Sequence, residues 1–201
     1  KGQMLLLFGG GLTGLAYTAM AAAYRADRIA AWLNPWAYQQ SIGYQTVQGL
    51  IAIGSGGFFG TGLGMGASKF HYLPEAHTDF AFAVLCQEWG FIGALTVLFF
   101  MGLLGYYGMR VAMKAPDGMG RMLAVGAVAL VVGQGAINIG MVSGALPVVG
   151  VPLPFVSFGG TSLIVNLTAI GILINVARRS AVKTPQPTET VPEAPYQTPR
   201  P

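Results

Sequence analysis

Apolar residues fall in long blocks along this chain, and polar residues collect in the gaps between them. Leu5 to Ala23 (LLLFGGGLTGLAYTAMAAA) is one such block, rich in the Gly and Ala that let helix backbones approach closely. Its length matches the roughly 20 mostly apolar residues that a helix needs to cross a hydrocarbon core. Gly43 to Gly64 (GYQTVQGLIAIGSGGFFGTGLG) is less apolar and very rich in glycine, so it reads as a second crossing, kinked or broken near Gly54 to Gly57. Irregular backbone at membrane depth requires shielding from lipid by neighbouring helices. Thr78 to about Tyr107 reads as a long helix with Thr78 as its N-cap. Met122 to Met141 and Thr161 to Ala177 are two further crossings. Between them Ser143 to Gly160 is apolar yet holds Pro147, Pro152 and Pro154, which excludes a regular helix. That segment reads as a re-entrant or surface-lying loop packed against the bundle.

The pattern predicts an all-α fold: a polytopic transmembrane helix bundle of about five membrane helices, with a re-entrant Pro-rich loop. Residues 1–180 form the membrane domain, and residues 181–201, rich in Pro, Thr, Glu and Gln, read as a disordered cytoplasmic tail. The chain begins at Lys1 and runs almost at once into an apolar block, so it reads as part of a longer membrane protein with earlier helices before it.

Composition agrees. Of the 201 residues 53% are hydrophobic and only 9% charged, against about 25% charged in a typical soluble domain. No Asp, Glu, Lys or Arg occurs between Arg121 and Arg178. The formal charge of +4 does not indicate nucleic acid, because the basic residues sit at helix ends, where they act as topology signals. The single Cys86 excludes an internal disulfide and reads as a small buried hydrophobe. Arg25 and Arg28 beside Trp32 and Trp36 form one basic cluster, Arg110, Lys114 and Arg121 a second, and Arg178, Arg179 and Lys183 a third. The excess of basic residues in cytoplasmic segments assigns all three to the cytoplasm, with two crossings between each adjacent pair. Met65 to Thr78 and the Pro-rich segment then share the extracytoplasmic face.

Scarce charge is concentrated in one outer segment, SKFHYLPEAHTDF from Ser68 to Phe80, which carries Lys69, His71, Glu75, His77 and Asp79. On spacing alone Asp79 is either a carboxylate at the positive end of a helix dipole or a general base tuned by partial burial. Glu75 falls four residues before it. His71 and His77 read as hydrogen-bonding histidines rather than metal ligands, since only two occur and no ligand motif surrounds them. Lys69 reads either as a phosphate partner or as an interfacial lysine. Glu88 lies nine residues beyond Asp79, about 13 Å by helical rise; an ionisable group there marks a functional or structural hotspot. Gln134 and Asn138, spaced i and i+4, read with Asn166 and Asn175 as interhelical glue.

Three strings, GYQTVQGLIAIGSGGFFGTGLG (Gly43 to Gly64), YLPEAHTDFAFAV (Tyr72 to Val84) and LPVVGVPLPFVSFGGTS (Leu146 to Ser162), resemble the SEDS family of bacterial cell-wall synthesis, the FtsW, RodA and SpoVE proteins. The resemblance spans most of Ala31 to Arg179 and implies the C-terminal half of a ten-helix protein in the bacterial inner membrane. It implies a peptidoglycan glycosyltransferase that polymerises lipid II with inversion. The family's essential aspartate falls on Asp79, which would take the proton from the C4 hydroxyl of the acceptor sugar. Lys69, Glu75, His77, Thr78, Glu88 and Ser157 are the substrate contacts implied beside it. Lys69 is the candidate partner of the pyrophosphate, with or without a divalent cation such as Mg or Mn. Implied partners are the nascent glycan strand, a class B penicillin-binding transpeptidase and other divisome or elongasome membrane proteins. Two residues depart from the family's usual strings: Gln87 stands in place of a Glu, and Phe158 in place of a Tyr. The competing readings are a lipid II flippase, favoured by the broken glycine-rich segment, and a non-catalytic scaffold for a transpeptidase.

Overall fold

The computed structural model describes residues 23–65 and 77–182, and no strand occurs among them. The expected Leu5 to Ala23 crossing and the 181–201 tail lie almost wholly outside the described residues. Helix α1 is Ala23–Leu33, followed by a 3-10 turn at Pro35–Tyr38; α2 is Tyr44–Gly56, α3 Ala81–Met113, α4 Gly118–Val142 and α5 Gly160–Val182. The last three are long and apolar enough to cross a membrane. They are apolar all round, and their outer faces expose Leu95, Phe99, Phe100, Ile164 and Leu167, as befits surfaces that meet lipid rather than water. Small residues line the seams, where Ala112, Ala124, Ala127 and Ala169 are buried and a Cβ on Gly108 would overlap Val128.

Helix α3 has 33 residues, which in one straight run would span about 50 Å, far more than the roughly 30 Å of a hydrocarbon core. It does not run straight. Gly90 adopts φ 66° and ψ −157°, a conformation open to glycine and strained for other residues. The break divides α3 into an arm, residues 81–89, and a shaft, residues 91–113, whose rise of about 34 Å makes one crossing. Backbone groups freed at the break find partners in the glycine-rich segment after α2. The Phe91 N–H donates to Gly57 O at 3.0 Å, the Thr61 N–H to Gln87 O at 2.9 Å and the Gly62 N–H to Glu88 O at 3.1 Å. The Thr61 hydroxyl donates to the same Gln87 carbonyl, and Gln87 Nε2 donates to Ser55 Oγ at 2.9 Å. Only glycine fits at position 60, because a Cβ there would collide with the Glu88 carbonyl.

This arrangement corrects two expectations. Gly43 to Gly64 is not a crossing: α2 has 13 residues, a rise of about 20 Å, and the chain beyond it folds back onto the α3 arm. The anticipated break near Gly54 to Gly57 falls where α2 ends. Second, the three basic clusters do not share one face. Arg28 Nη1 donates to Val148 O at 3.0 Å and Trp32 Nε1 to Gly144 O at 2.9 Å, so α1 lies against the Pro-rich loop. Arg179 lies at the other end of the bundle, in a cavity shared with Pro116 and Asp117. Counting basic clusters assumes that every apolar stretch between them crosses, and α2 does not. A third, smaller correction concerns the start of α3, which begins at Ala81 with Phe80 before it and no side-chain cap; Thr78 belongs to the preceding turn.

The expectation of an irregular Ser143 to Gly160 segment holds, since no helix forms between Val142 and Gly160. Leu153 and Pro154 are fully buried. Leu153 joins Ala52 of α2, Phe80, Phe82 and Cys86 around the α3 arm, and Met141 and Val142 of α4 in one core at this end. A second core, with Ala112, Ala124, Leu173 and Val176, closes the opposite end. In a Cys86→Ala background of the full-length protein, Ser41→Cys and Ser143→Cys should react with an impermeant thiol reagent from one side of the membrane, and Asp117→Cys only from the other. Joint labelling of Ser41→Cys and Asp117→Cys would restore a crossing between them.

Candidate active site

The turn at residues 77–80 leads into the α3 arm and carries His77, Thr78 and Asp79. Its anchor is Phe80, 1% exposed, whose ring packs flat enough against α2 that a Cβ on Gly49 would lie 2.8 Å from Cε1. Asp79 is half-buried beside this anchor. Its backbone carbonyl accepts from Asn138 Nδ2 at 2.8 Å, and the same nitrogen donates to Val151 O at 2.6 Å. Gly150, at φ +73°, brings its backbone so close to the Asp79 carboxylate that a Cβ there would stand 3.2 Å from Oδ2. At the far end of the turn the Phe158 N–H donates to His77 O at 2.8 Å. The 77–80 turn and the Pro-rich loop therefore meet at both ends of the turn.

Below this junction a cavity of about 330 Å³ opens between the α3 arm and the loop, lined by His77, Ala81, Val84, Glu88, Val156 and Phe158 among others. Positions 81, 84, 85 and 88 share one helical face. A second cavity, about 370 Å³, lies on the other side of Glu88 and Trp89 and is walled by Phe59, Leu63 and Ile92. Glu88, 7% exposed, lines both, two residues before the Gly90 break, so its helical rise from Asp79 does not translate into depth along the crossing shaft. Ser157 Oγ accepts the Leu153 N–H at 2.8 Å and so closes its own turn within the loop. Lys69, His71 and Glu75 lie outside the described residues. Among the described residues no three His, Cys, Asp or Glu side chains converge to hold a metal ion.

The loop residues at this junction, Gly150, Val151 and Phe158, and the amide of Asn138, are not among the site residues read from the sequence. Asn138 and Gln134 are visible there as a polar pair in an apolar helix, but their partners are loop carbonyls, which leave no mark on side-chain pattern. Gln134 Nε2 donates to Pro152 O at 2.8 Å and to Ser162 Oγ at 3.0 Å.

Known proteins share this arrangement of sequence and fold. The family described as cell cycle protein, FtsW/RodA/SpoVE, matches residues 2–182. The chain belongs to that family. Among FtsW/RodA/SpoVE proteins, stage V sporulation protein E of Bacillus subtilis is 47% identical over 170 residues, covering 85% of this chain and 46% of that protein. A Geobacter protein (strain M18) named probable peptidoglycan glycosyltransferase FtsW is 46% identical over 168 residues, covering 84% of this chain and 46% of the relative. A solved chain described under structural coordination of polymerization and crosslinking by a peptidoglycan synthase complex superposes with a TM-score of 0.69 at 28% identity, covering 89% of this chain and 49% of that one. The rod shape determining protein RodA of Thermus thermophilus, solved as an Asp-to-Ala mutant, gives a TM-score of 0.51 at 34% identity over 66% of this chain and 40% of that one. The chain thus spans about half the length of the curated relatives it matches.

The Phe80 anchor generates a contrast between two glycines of α2. Gly49→Ala should press its methyl into a buried ring that cannot yield, at a cost of roughly 1–3 kcal/mol. Gly54→Ala meets open space and should be neutral or stabilising by about 0.5–1 kcal/mol. Thermal unfolding of the two variants in detergent checks the order; equal melting temperatures would dissociate Phe80 from α2.

Proposed function

We propose that the protein carrying this chain is an inverting peptidoglycan glycosyltransferase that polymerises lipid II, with Asp79 as its general base. The observation that carries this reading is the placement of Asp79: a half-buried carboxylate at the junction of the outer turn and the Pro-rich loop, its backbone held by Asn138. The family membership supplies the substrate class, through relatives named for that activity. Beside the carboxylate, the mainly apolar cavity below His77 suits substrates that arrive sideways from the lipid on polyprenyl tails.

In this reading Asp79 accepts the proton of the acceptor sugar's C4 hydroxyl. The oxygen forms a bond to the anomeric carbon of the donor on the face opposite its pyrophosphate. The bond from that carbon to the pyrophosphate oxygen breaks, and the configuration inverts. Proton transfer to a positioned base contributes about 10²- to 10⁴-fold. Lys69 as partner of the leaving pyrophosphate, Glu75, His77, Thr78, Glu88 and Ser157 as substrate contacts, and a class B penicillin-binding transpeptidase as partner belong to the same proposal. So does orientation: Arg110, Lys114, Arg121, Arg178 and Arg179 place their end of the bundle in the cytoplasm, which puts Asp79 on the extracytoplasmic side of the inner membrane.

One observation favours a second reading. The break at Gly90 within the long apolar helix α3 is of the kind that transporters use around a substrate, and a lipid II flippase would need such an element. Polymerisation of lipid II by the full-length protein separates the two. Asp79→Ala should lower the rate by about 10²- to 10⁴-fold with lipid II still bound. Normal glycan chains from Asp79→Ala would remove the base assignment, and translocation of lipid II without polymerisation by either form would favour the flippase.

A further inference from the structure

Asn138 is fully buried within α4, and its side chain is used lopsidedly. Nδ2 serves two backbone carbonyls, those of Asp79 and Val151. Oδ1 is buried and has no hydrogen-bond partner. Leaving a buried acceptor unsatisfied costs about 1–3 kcal/mol, so packing alone would be served better by an apolar residue of the same volume. What the amide does that a leucine cannot is join two stretches of irregular backbone. One carries the Asp79 carboxylate. The other, at Val151, adjoins Gly150, whose backbone stands against that carboxylate. A single amide therefore sets both the peptide that bears the carboxylate and the wall it faces.

Gln134, one turn earlier on the same face, provides the comparison. It grips the same loop at Pro152 O and reaches Ser162 of α5, and neither contact involves the 77–80 turn. Two polar residues thus hold one loop, and one of the two also holds Asp79.

We infer that Asn138 is the positioning residue of the active site: a buried amide that fixes the Asp79 carboxylate relative to the Pro-rich loop. The inference rests on the reading of Asp79 as the base, and the experiment is arranged so that the two can fail separately. Asn138→Leu keeps the branched shape of the side chain at somewhat larger volume and removes both donors; Asn138→Ser, smaller and free of overpacking, also cannot bridge the two carbonyls. Gln134→Leu is the control that loosens the same loop. A displacement of about 1 Å at a reacting group costs on the order of 10²-fold. In the full-length protein, both Asn138 variants should lower kcat for lipid II polymerisation by about 10- to 100-fold, with KM and melting temperature close to those of Gln134→Leu, which should keep most of its kcat. A second readout does not depend on catalysis: the rate at which Asp79→Cys, in a Cys86→Ala background, reacts with a methanethiosulfonate reagent. Asn138→Leu should change that rate several-fold and Gln134→Leu should not. If the Asn138 and Gln134 variants match in both kcat and labelling, Asn138 only holds the loop and the inference is overturned. If labelling changes and kcat does not, Asn138 still positions residue 79, and the role of Asp79 as base is what fails.

Discussion

Backbone N–H and C=O groups that are kept from water must pair with something, and at membrane depth the partner must be protein. The Gly90 break in α3 sets that requirement for the end of the bundle that carries the 77–80 turn. The carbonyls of Gln87 and Glu88 and the N–H of Phe91 leave the helical ladder, and the segment from Gly57 to Gly62 takes them up. To do so, α2 must stop at Gly56 and its continuation must lie against the arm, with a glycine at position 60 where the two backbones touch. The arm so held carries the 77–80 turn, and α2 supplies the flat face at Gly49 on which Phe80 is seated. Helix α4 closes the frame by gripping the Pro-rich loop through Gln134 and Asn138, and Gln134 ties it to Ser162 of α5. Asp79 is thus held from two directions, by a broken helix below and a stapled loop above.

Side-chain pattern was sufficient for much of this. The charge-free run from Arg121 to Arg178 marks α4 and α5, the three prolines mark the irregular loop between them, and the concentration of ionisable groups near Asp79 marks the outer turn. These are statements about side chains and lipid, where hydropathy is a direct physical measure. The failures have a common cause. Gly43 to Gly64 has the length and glycine content of a broken crossing, yet its fate depends on which backbone groups it must satisfy on α3, and that is invisible until the Gly90 break is known. Once α2 is taken as a crossing, Arg28 is carried to the wrong end, although its guanidinium and the Trp32 indole hold the Pro-rich loop. Asn138 was legible as a polar residue in an apolar helix, but its partners are carbonyls, which every residue possesses. The hydrogen bonds that matter most in this site are between side chains and backbone, and a sequence shows only one party to them.

Three polar side chains of the bundle, the buried Asn138 and Asn166 and the half-buried Gln134, are used for construction: each donates to a carbonyl or to Ser162. Glu88 differs in kind, being ionisable, buried, and shared by two cavities on either side of the α3 arm. The break lies two residues beyond it, so the linkage of Gly57 and Gly90 that seats Glu88 also sets the direction of the arm into which the 77–80 turn leads. The proposed chemistry needs the first of these carboxylates at a fixed distance from a sugar hydroxyl, and the linkage that carries the second determines the tilt of the arm. Site and scaffold are therefore one arrangement in this family member.

The proposed chemistry requires that the Asp79 carboxylate meet the acceptor hydroxyl. The most direct measurement is an experimental structure of the full-length protein with lipid II, or a non-reactive analogue, in the acceptor position. An Asp79 oxygen is expected within hydrogen-bond reach of the C4 hydroxyl, about 2.6–3.2 Å, with the Asn138 amide still joining Asp79 O to Val151 O. A bound acceptor whose C4 hydroxyl faces another base, with Asp79 turned into the protein, would contradict it.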